Sequence, residues 1–336
     1  MELDRGIYQE PCKMTLGQWL DIWQKTYLGH VKPRTAETYQ TDIKNHIKPT
    51  LGAIKLEALT TPVIQAFYND LLHPTARDIK PLSPKTIHLI NGVLHKSLQQ
   101  AVSIGYLRFN PSDACTLPRV ERKELRPMDD IAISRFMSAV QGHPYEAIFL
   151  VTLFTGMRKG EILGLTWDHV DFSKGSLLIN QQLQRLKTND GKKEERLVST
   201  KNGKGRQITP APFVMDVLCH QWKVQAQWRL QAGSSWQENG LVFTDQLGGC
   251  VFSWNVYRAF KRLAAEIGLP DLRFHDLRHS YAVAAIRSGD DIKTVQSNLG
   301  HATAAFTLDV YGHVTDQMKQ ASAARMESFI KRVSGQ

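Results

Sequence analysis

Pro111, Pro118 and Pro127 enclose a short charged strip, Arg119-Val120-Glu121-Arg122-Lys123-Glu124, that has no apolar periodicity. A strip of this kind has nothing to bury, so it joins cores and does not belong to one. The chain therefore reads as a tail over 1–14, a first domain over 15–118, a linker over 119–127 and a second domain over 128–336. With 336 residues and 42% apolar content, both parts are long enough to bury a core.

The first domain reads as helices throughout. Thr15 is placed as an N-cap, followed by Leu16, Trp19, Leu20, Trp23 and Tyr27 on one face. Pro33 and the pair Pro49/Gly52 bracket a second helix, Arg34 to Lys48, with Tyr39, Ile43 and Ile47 aligned. Thr61-Pro62 opens a third that ends near His73-Pro74. Ser83-Pro84 opens a long fourth that runs to Gly105. The second domain is mixed. Helices are expected at Asp129–Val140, Tyr145–Phe154 and Arg158–Leu165. Ser176–Leu183 alternates as a strand, and Asn189–Glu195 reads as a polar turn. Thr200–Arg206 reads as a glycine-rich hairpin between strands. Five helices follow, near Ala211–Leu230, Ser253–Ile267, Leu277–Ser288, Ile292–Leu299 and Thr315–Val333. The tryptophans Trp19, Trp23, Trp222, Trp228 and Trp254 are placed in the cores.

The net charge is +10, and it is shared: 17 basic against 12 acidic residues before Pro127, and 25 against 20 after it. Two basic domains suit a polyanionic partner, most simply nucleic acid held between them in a C-shaped clamp. There is no apolar run long enough for a membrane helix and no apolar stretch in Met1–Glu10 that would make a secretory signal. Cys12, Cys115, Cys219 and Cys250 lie far apart with no C-x-x-C pair, which argues against a zinc ribbon and fits reduced thiols in a cytoplasm.

Four local patterns in the second domain carry chemistry. They are Thr155-Gly156-Met157-Arg158-Lys159-Gly160-Glu161, Lys201 in the glycine-rich turn, His275-Asp276-Leu277-Arg278-His279, and Leu299-Gly300-His301 with Tyr311 ten residues later. In this order, Arg, Lys, His-x-x-Arg, Leu-Gly-His and Tyr, the sequence resembles the tyrosine recombinases, that is, the integrases of phages and conjugative transposons. The resemblance covers Thr15 to Lys331. It implies an all-α core-binding domain followed by a mixed α+β catalytic domain, and site-specific cleavage and rejoining of DNA through a 3′-phosphotyrosine.

The resemblance also assigns roles. Tyr311 is the matched nucleophile. Arg158 and Arg278 would clamp the scissile phosphate, since guanidinium forks match its oxygens two at a time and stay charged. Lys201 would protonate the departing 5′ oxygen. His275 and His301 would orient the phosphate and manage the nucleophile's proton. Glu161 would support these groups without carrying a proton. Tyr281 is the next candidate nucleophile, His279 is structural and His313 a lesser candidate. Lys204 and Arg206, in the same turn as Lys201, are expected on the DNA backbone. So are Arg34, Lys44, Lys85 and Lys96, on helices of the first domain. No metal or nucleotide cofactor is implied, because the phosphotyrosine conserves the energy for religation. A zinc site on His275 and His279 is the weaker reading, with Arg278 beside it and no third ligand by spacing.

The implied partners are double-stranded attachment sites and three further copies of the chain, joined through the amphipathic segment Gln317–Lys331, with an excisionase or a host DNA-bending protein as accessories. A type IB topoisomerase that acts alone and a non-catalytic DNA-binding regulator remain as alternatives. Integrases of this kind often carry a small arm-binding domain first, and here only Met1 to Lys13 stand before the first helix.

Overall fold

The computed structural model describes residues 13–75, 80–121, 127–187, 190, 192–200, 203, 205–300 and 315–334, without the side chains of 187, 315–319, 321 and 322. It divides into two compact units, Met1–Lys123 and Glu124–Gln336.

Thr15 opens helix α1 (Leu16–Tyr27) with a capping box. Its hydroxyl accepts from the Gln18 amide while the Gln18 side chain accepts from its own. The face bearing Leu16, Trp19, Leu20 and Trp23 is buried. Trp19 is fully buried, its indole N–H donating to the Ser97 carbonyl at 3.0 Å. Next come α2 (Pro33–Asp42), a π turn (Ile43–Ile47) and α3 (Lys48–Leu51).

Pro49 does not end the second helix as its position predicts; the chain stays helical through it. The Lys48 amide reaches back five residues, to the Ile43 carbonyl. That wider ring relieves the regular helix at the point where a proline has no N–H to give and would strike the preceding turn. Helices α4 (Thr61–Leu72) and α5 (Pro84–Ser103) complete the first unit, α5 capped by the Ser83 hydroxyl on the Thr86 amide. The core is one cluster in which Leu16, Trp19, Ile47, Ile64, Ile87 and Leu94 are fully buried.

In the second unit α6 (Asp130–Val140) starts on the Asp129 carboxylate. Helix α7 (Glu146–Thr155) is apolar all round and accordingly central. Around it Phe136, Phe149, Phe260 and Phe274 pack with ring centroids 5.5–6.3 Å apart. The short α8 (Lys159–Leu163) follows.

The strands differ from the sequence reading. Ser176–Leu183 is not one strand: β2 (Ser176–Ile179) lies between β1 (Val170–Asp171) and β5 (Arg206–Ile208), whereas β3 (Gln181–Lys187) pairs only with β4 (Lys193–Ser199). The chain changes sheets at Asn180, whose carbonyl accepts from the Thr200 amide. Glu195, assigned to a turn, is therefore in a strand. The strands on either side of the glycine-rich segment, β4 and β5, are not hairpin partners: β4 pairs with β3 and β5 with β2, in separate sheets. Helices α9 (Pro212–Ala232), α10 (Ser253–Glu266), α11 (Asp276–Arg287), α12 (Ile292–Leu299) and α13 (Thr315–Ser334) follow. Trp222 and Trp254, expected in the core, are 53% and 60% exposed. Among the described residues no helix is long and apolar enough to cross a membrane.

Candidate active site

Two helix ends come together here. Helix α7 stops at Gly156 and α12 at Gly300, each in the left-handed region with φ of +64°. Glycine takes that conformation without a Cβ clash. At Gly156 the space is also taken: a Cβ would lie 2.6 Å from both Leu299 Cδ2 and Tyr281 Cδ1. Arg278, on α11, ties the two ends. Its Nη1 donates to the Gly156 carbonyl at 2.7 Å and its Nη2 to the Leu299 carbonyl at 2.5 Å. The side chain is almost wholly buried. The Thr-Gly-x-Arg, His-x-x-Arg and Leu-Gly motifs, far apart in sequence, thus meet at one guanidinium.

Arg158 follows Gly156 and caps α8. A third of its side chain is exposed, and its Nη1 donates to Glu161 Oε1 at 2.7 Å. Glu161 is no surface residue: it is 2% exposed and accepts from several donors. Besides the Arg158 side chain these are the Arg158 backbone N–H at 2.9 Å and two nitrogens of Arg206, at 3.1 and 2.7 Å. Burial alone would push this carboxyl up. The hydrogen bonds and charge of Arg206, then those of Arg158, outweigh it and hold the group at about 2.

Arg206, expected on DNA from its place in the turn, lies inside. Its Nε donates to the Asn298 carbonyl at 2.7 Å, and only 11% of the side chain is exposed. It links β5 to Glu161 and to the end of α12. On β5 it shares a face with the buried Ile208.

His275 lies at the start of α11 beside these cations. Burial, then the charges of Arg278 and Arg158, lower its pKa, so the imidazole is neutral near pH 7. His279 stands edge-on to it, with ring centroids 4.9 Å apart, and burial followed by His275 brings it to about 4. Asp276 is occupied by Arg273, which donates from its backbone and its guanidinium. Among the described residues no three His, Cys, Asp or Glu side chains converge to hold a metal. Tyr281 packs on Gly156 and accepts a hydrogen bond from Asn298 at 3.1 Å, and burial raises its pKa. Lys201, Lys204, His301, Tyr311 and His313 lie outside the described residues. In the first unit Arg34 pairs with Glu37 at 2.7 Å, Lys96 sits over the Tyr39 ring, and Lys44 and Lys85 are exposed.

Residues 126–318 match the phage integrase family, and residues 15–72 its N-terminal SAM-like domain. The chain belongs to the phage integrase family. It is a tyrosine-type site-specific DNA recombinase. A tyrosine recombinase XerC-like protein of Caldanaerobacter subterraneus subsp. tengcongensis is 30% identical over 94% of this chain and 83% of its own. The recombinase also shares its fold with the Tn1549 transposon integrase, solved in complex with a circular intermediate DNA. The TM-score is 0.77, at 20% identity over 93% of this chain and 99% of that one. A lambda integrase, solved as a tetramer bound to a Holliday junction, superposes with a TM-score of 0.65, at 20% identity over 92% and 81%.

Proposed function

We propose that Tyr311 attacks the scissile phosphorus of a duplex attachment site. A 3′-phosphotyrosine forms, the 5′ oxygen leaves, and Lys201 gives it a proton. Arg158, the partly exposed guanidinium, meets the phosphate first. Arg278, fixed in plane by its two carbonyl bonds, adds charge from beneath. Neutral His275 accepts the tyrosine proton, and His301 completes the phosphate's surround. Rejoining is the same step run backwards with a 5′ hydroxyl from the partner duplex, so bond energy is kept throughout. The observation that carries this reading is the anchoring of Arg158, Arg206 and Arg278 around a single carboxylate and two glycine-capped helix ends. Arg158, Arg206 and Arg278 against Glu161, with Asp276 balanced by Arg273, leave the site positive, as a pentavalent phosphate requires.

Residues 15–118 serve as the core-binding part, 119–127 as linker and 128–336 as the catalytic part. Four copies assemble on DNA, each lending α13 to a neighbour. The support is its exposed apolar side, with Met326, Phe329, Ile330 and Val333 between 50% and 68% exposed. Excisionase or a host DNA-bending protein would set direction, in a bacterial cytoplasm.

Lys201 gives the direct test. General acids of this kind contribute about 10²–10⁴-fold, so Lys201→Ala should slow cleavage by that much. A substrate with sulfur in place of the bridging 5′ oxygen needs no proton and should restore the rate, while Arg158→Ala stays slow on it. Rescue of Lys204→Ala and not of Lys201→Ala would move the acid to the other lysine.

A further inference from the structure

Helix α8 has only five residues, yet it carries Glu161 and is capped by Arg158. A helix that short cannot hold itself in place, because its first turn fixes more backbone than its hydrogen bonds repay. Its neighbours must fix it. On one side Glu161 does so through Arg206. On the other side α8 meets the β3–β4 hairpin and α10.

The hairpin backbone lies directly against α8. A Cβ at Gly164 would fall 2.6 Å from the Leu183 amide nitrogen, and one at Gly160 would fall 3.1 Å from the Leu183 carbonyl oxygen. The Gln181 side chain donates to the Gly164 carbonyl at 3.1 Å. Lys159 stands between Arg158 and the first of these glycines. It is half-buried, and its ammonium lies 5.4 Å from the centre of the Tyr257 ring on α10. Trp254 stacks on that ring, with centroids 5.8 Å apart. Glu195, on β4, faces the same ammonium with the opposite charge. Burial lowers the Lys159 pKa and Glu195 raises it. The converse holds at Glu195, where burial raises the pKa and Arg185, then Lys159, lower it. One cation is thus drawn by a ring on α10 and by a carboxylate on the hairpin.

We propose that Lys159 is a positioning residue for cleavage: by holding α8 between the β3–β4 hairpin and α10, it sets where the Arg158 guanidinium, one residue away, meets the phosphate. The inference rests on the reading of Arg158 as a phosphate clamp and adds what aims it. Glu161 fixes the Arg158 side chain, and Lys159 fixes the helix from which that side chain projects. Lys159 acts through Arg158 and not on the DNA, since its ammonium is already seated on Tyr257.

Single-turnover cleavage of a nicked suicide duplex by the full chain tests this. Lys159→Met keeps the aliphatic stem on Tyr257 and removes the charge. It should slow cleavage about tenfold or more, a displacement of roughly 1 Å costing up to about 100-fold. Duplex affinity and its salt slope should not change. Lys159→Arg should cleave close to the wild-type rate, because a guanidinium also sits on an aromatic face. Glu195→Gln, which alters only the hairpin, should slow cleavage by less than Lys159→Met. The decisive comparison is in the Arg158→Ala background. There Lys159→Met should cost nothing further, since no guanidinium is left to misplace. An equal rate loss with and without Arg158 would overturn the proposal and leave Lys159 a purely structural part. A salt slope flattened by about 0.9 would also overturn it, by putting Lys159 on a phosphate. A slow Arg158→Ala beside a Lys159→Met of wild-type rate would overturn this proposal alone. Arg158→Ala at the wild-type rate would bring down the clamp reading, and this proposal with it.

Discussion

Glu161 is the residue on which the site's geometry turns. It is a single buried carboxylate that fixes Arg158 from one side and Arg206 from the other. Breaking such a buried pair by neutralising one member costs about 3–5 kcal/mol, because the remaining charges lose their compensation. Glu161→Gln should therefore lower the urea midpoint substantially and slow cleavage, with Arg158 no longer held. The pH dependence follows from the same bonds. The folded pKa is depressed to about 2, below its ordinary value of 4.5. The stabilisation is thus complete above pH 4.5 and is lost as pH falls towards 2. Its size is on the order of 3 kcal/mol. Wild type should lose this increment over that window, and Glu161→Gln should not. An unchanged acid profile in the variant would remove Glu161 from its anchoring role. The sequence placed Arg158 and Glu161 near each other because they are three positions apart. It misplaced Arg206, whose carboxylate partner is 45 positions away and whose strand is only three residues long.

The elements that hold this site are short or end abruptly, and their ends matter more than their lengths. Helix α7 must stop where it does so that the Gly156 carbonyl faces Arg278. Gly156→Ala would meet both a left-handed φ and a Cβ overlap with Leu299 and Tyr281. Backbone strain alone should destabilise the fold by about 1–3 kcal/mol. Cleavage should fall further than that stability loss explains. Gly142→Ala, at φ +74° with nothing within 4 Å, is the control for backbone strain without overlap. Equal effects of the two on cleavage would mean that the junction at 156 is not special. Helix starts were legible in the sequence where a side chain caps locally, as Thr15, Ser83 and Asp129 do. The passage through Pro49 was not, because a π turn depends on the packing of Ile43 and Ile47 as well as on the proline. Nor was the change of sheets at Asn180, which depends on where β5 and β4 pair.

At the scale of the molecule the proposed cleaving site is joined to a proposed assembly. Deleting Gln317 to Gln336 removes most of α13 and its exposed apolar side, and should leave single-site cleavage while abolishing recombination between two sites. Recombination at the wild-type rate would show that α13 needs no neighbour. The exposure of Trp222 and Trp254 belongs to this scale too, since an aromatic on a helix reads as core until the packing of the whole unit is known. Family membership was legible because its motifs are short, ordered and chemically specific. Tyr311 is the one residue proposed to hold the DNA covalently. A nicked suicide duplex carrying the junction between the element and its flanking DNA tests it. After denaturation and digestion, wild type should yield a single nucleotide-bearing peptide containing Tyr311, and Tyr311→Phe should bind the duplex and yield none. An adduct that persists in Tyr311→Phe, or one that maps to Tyr281, would contradict the account.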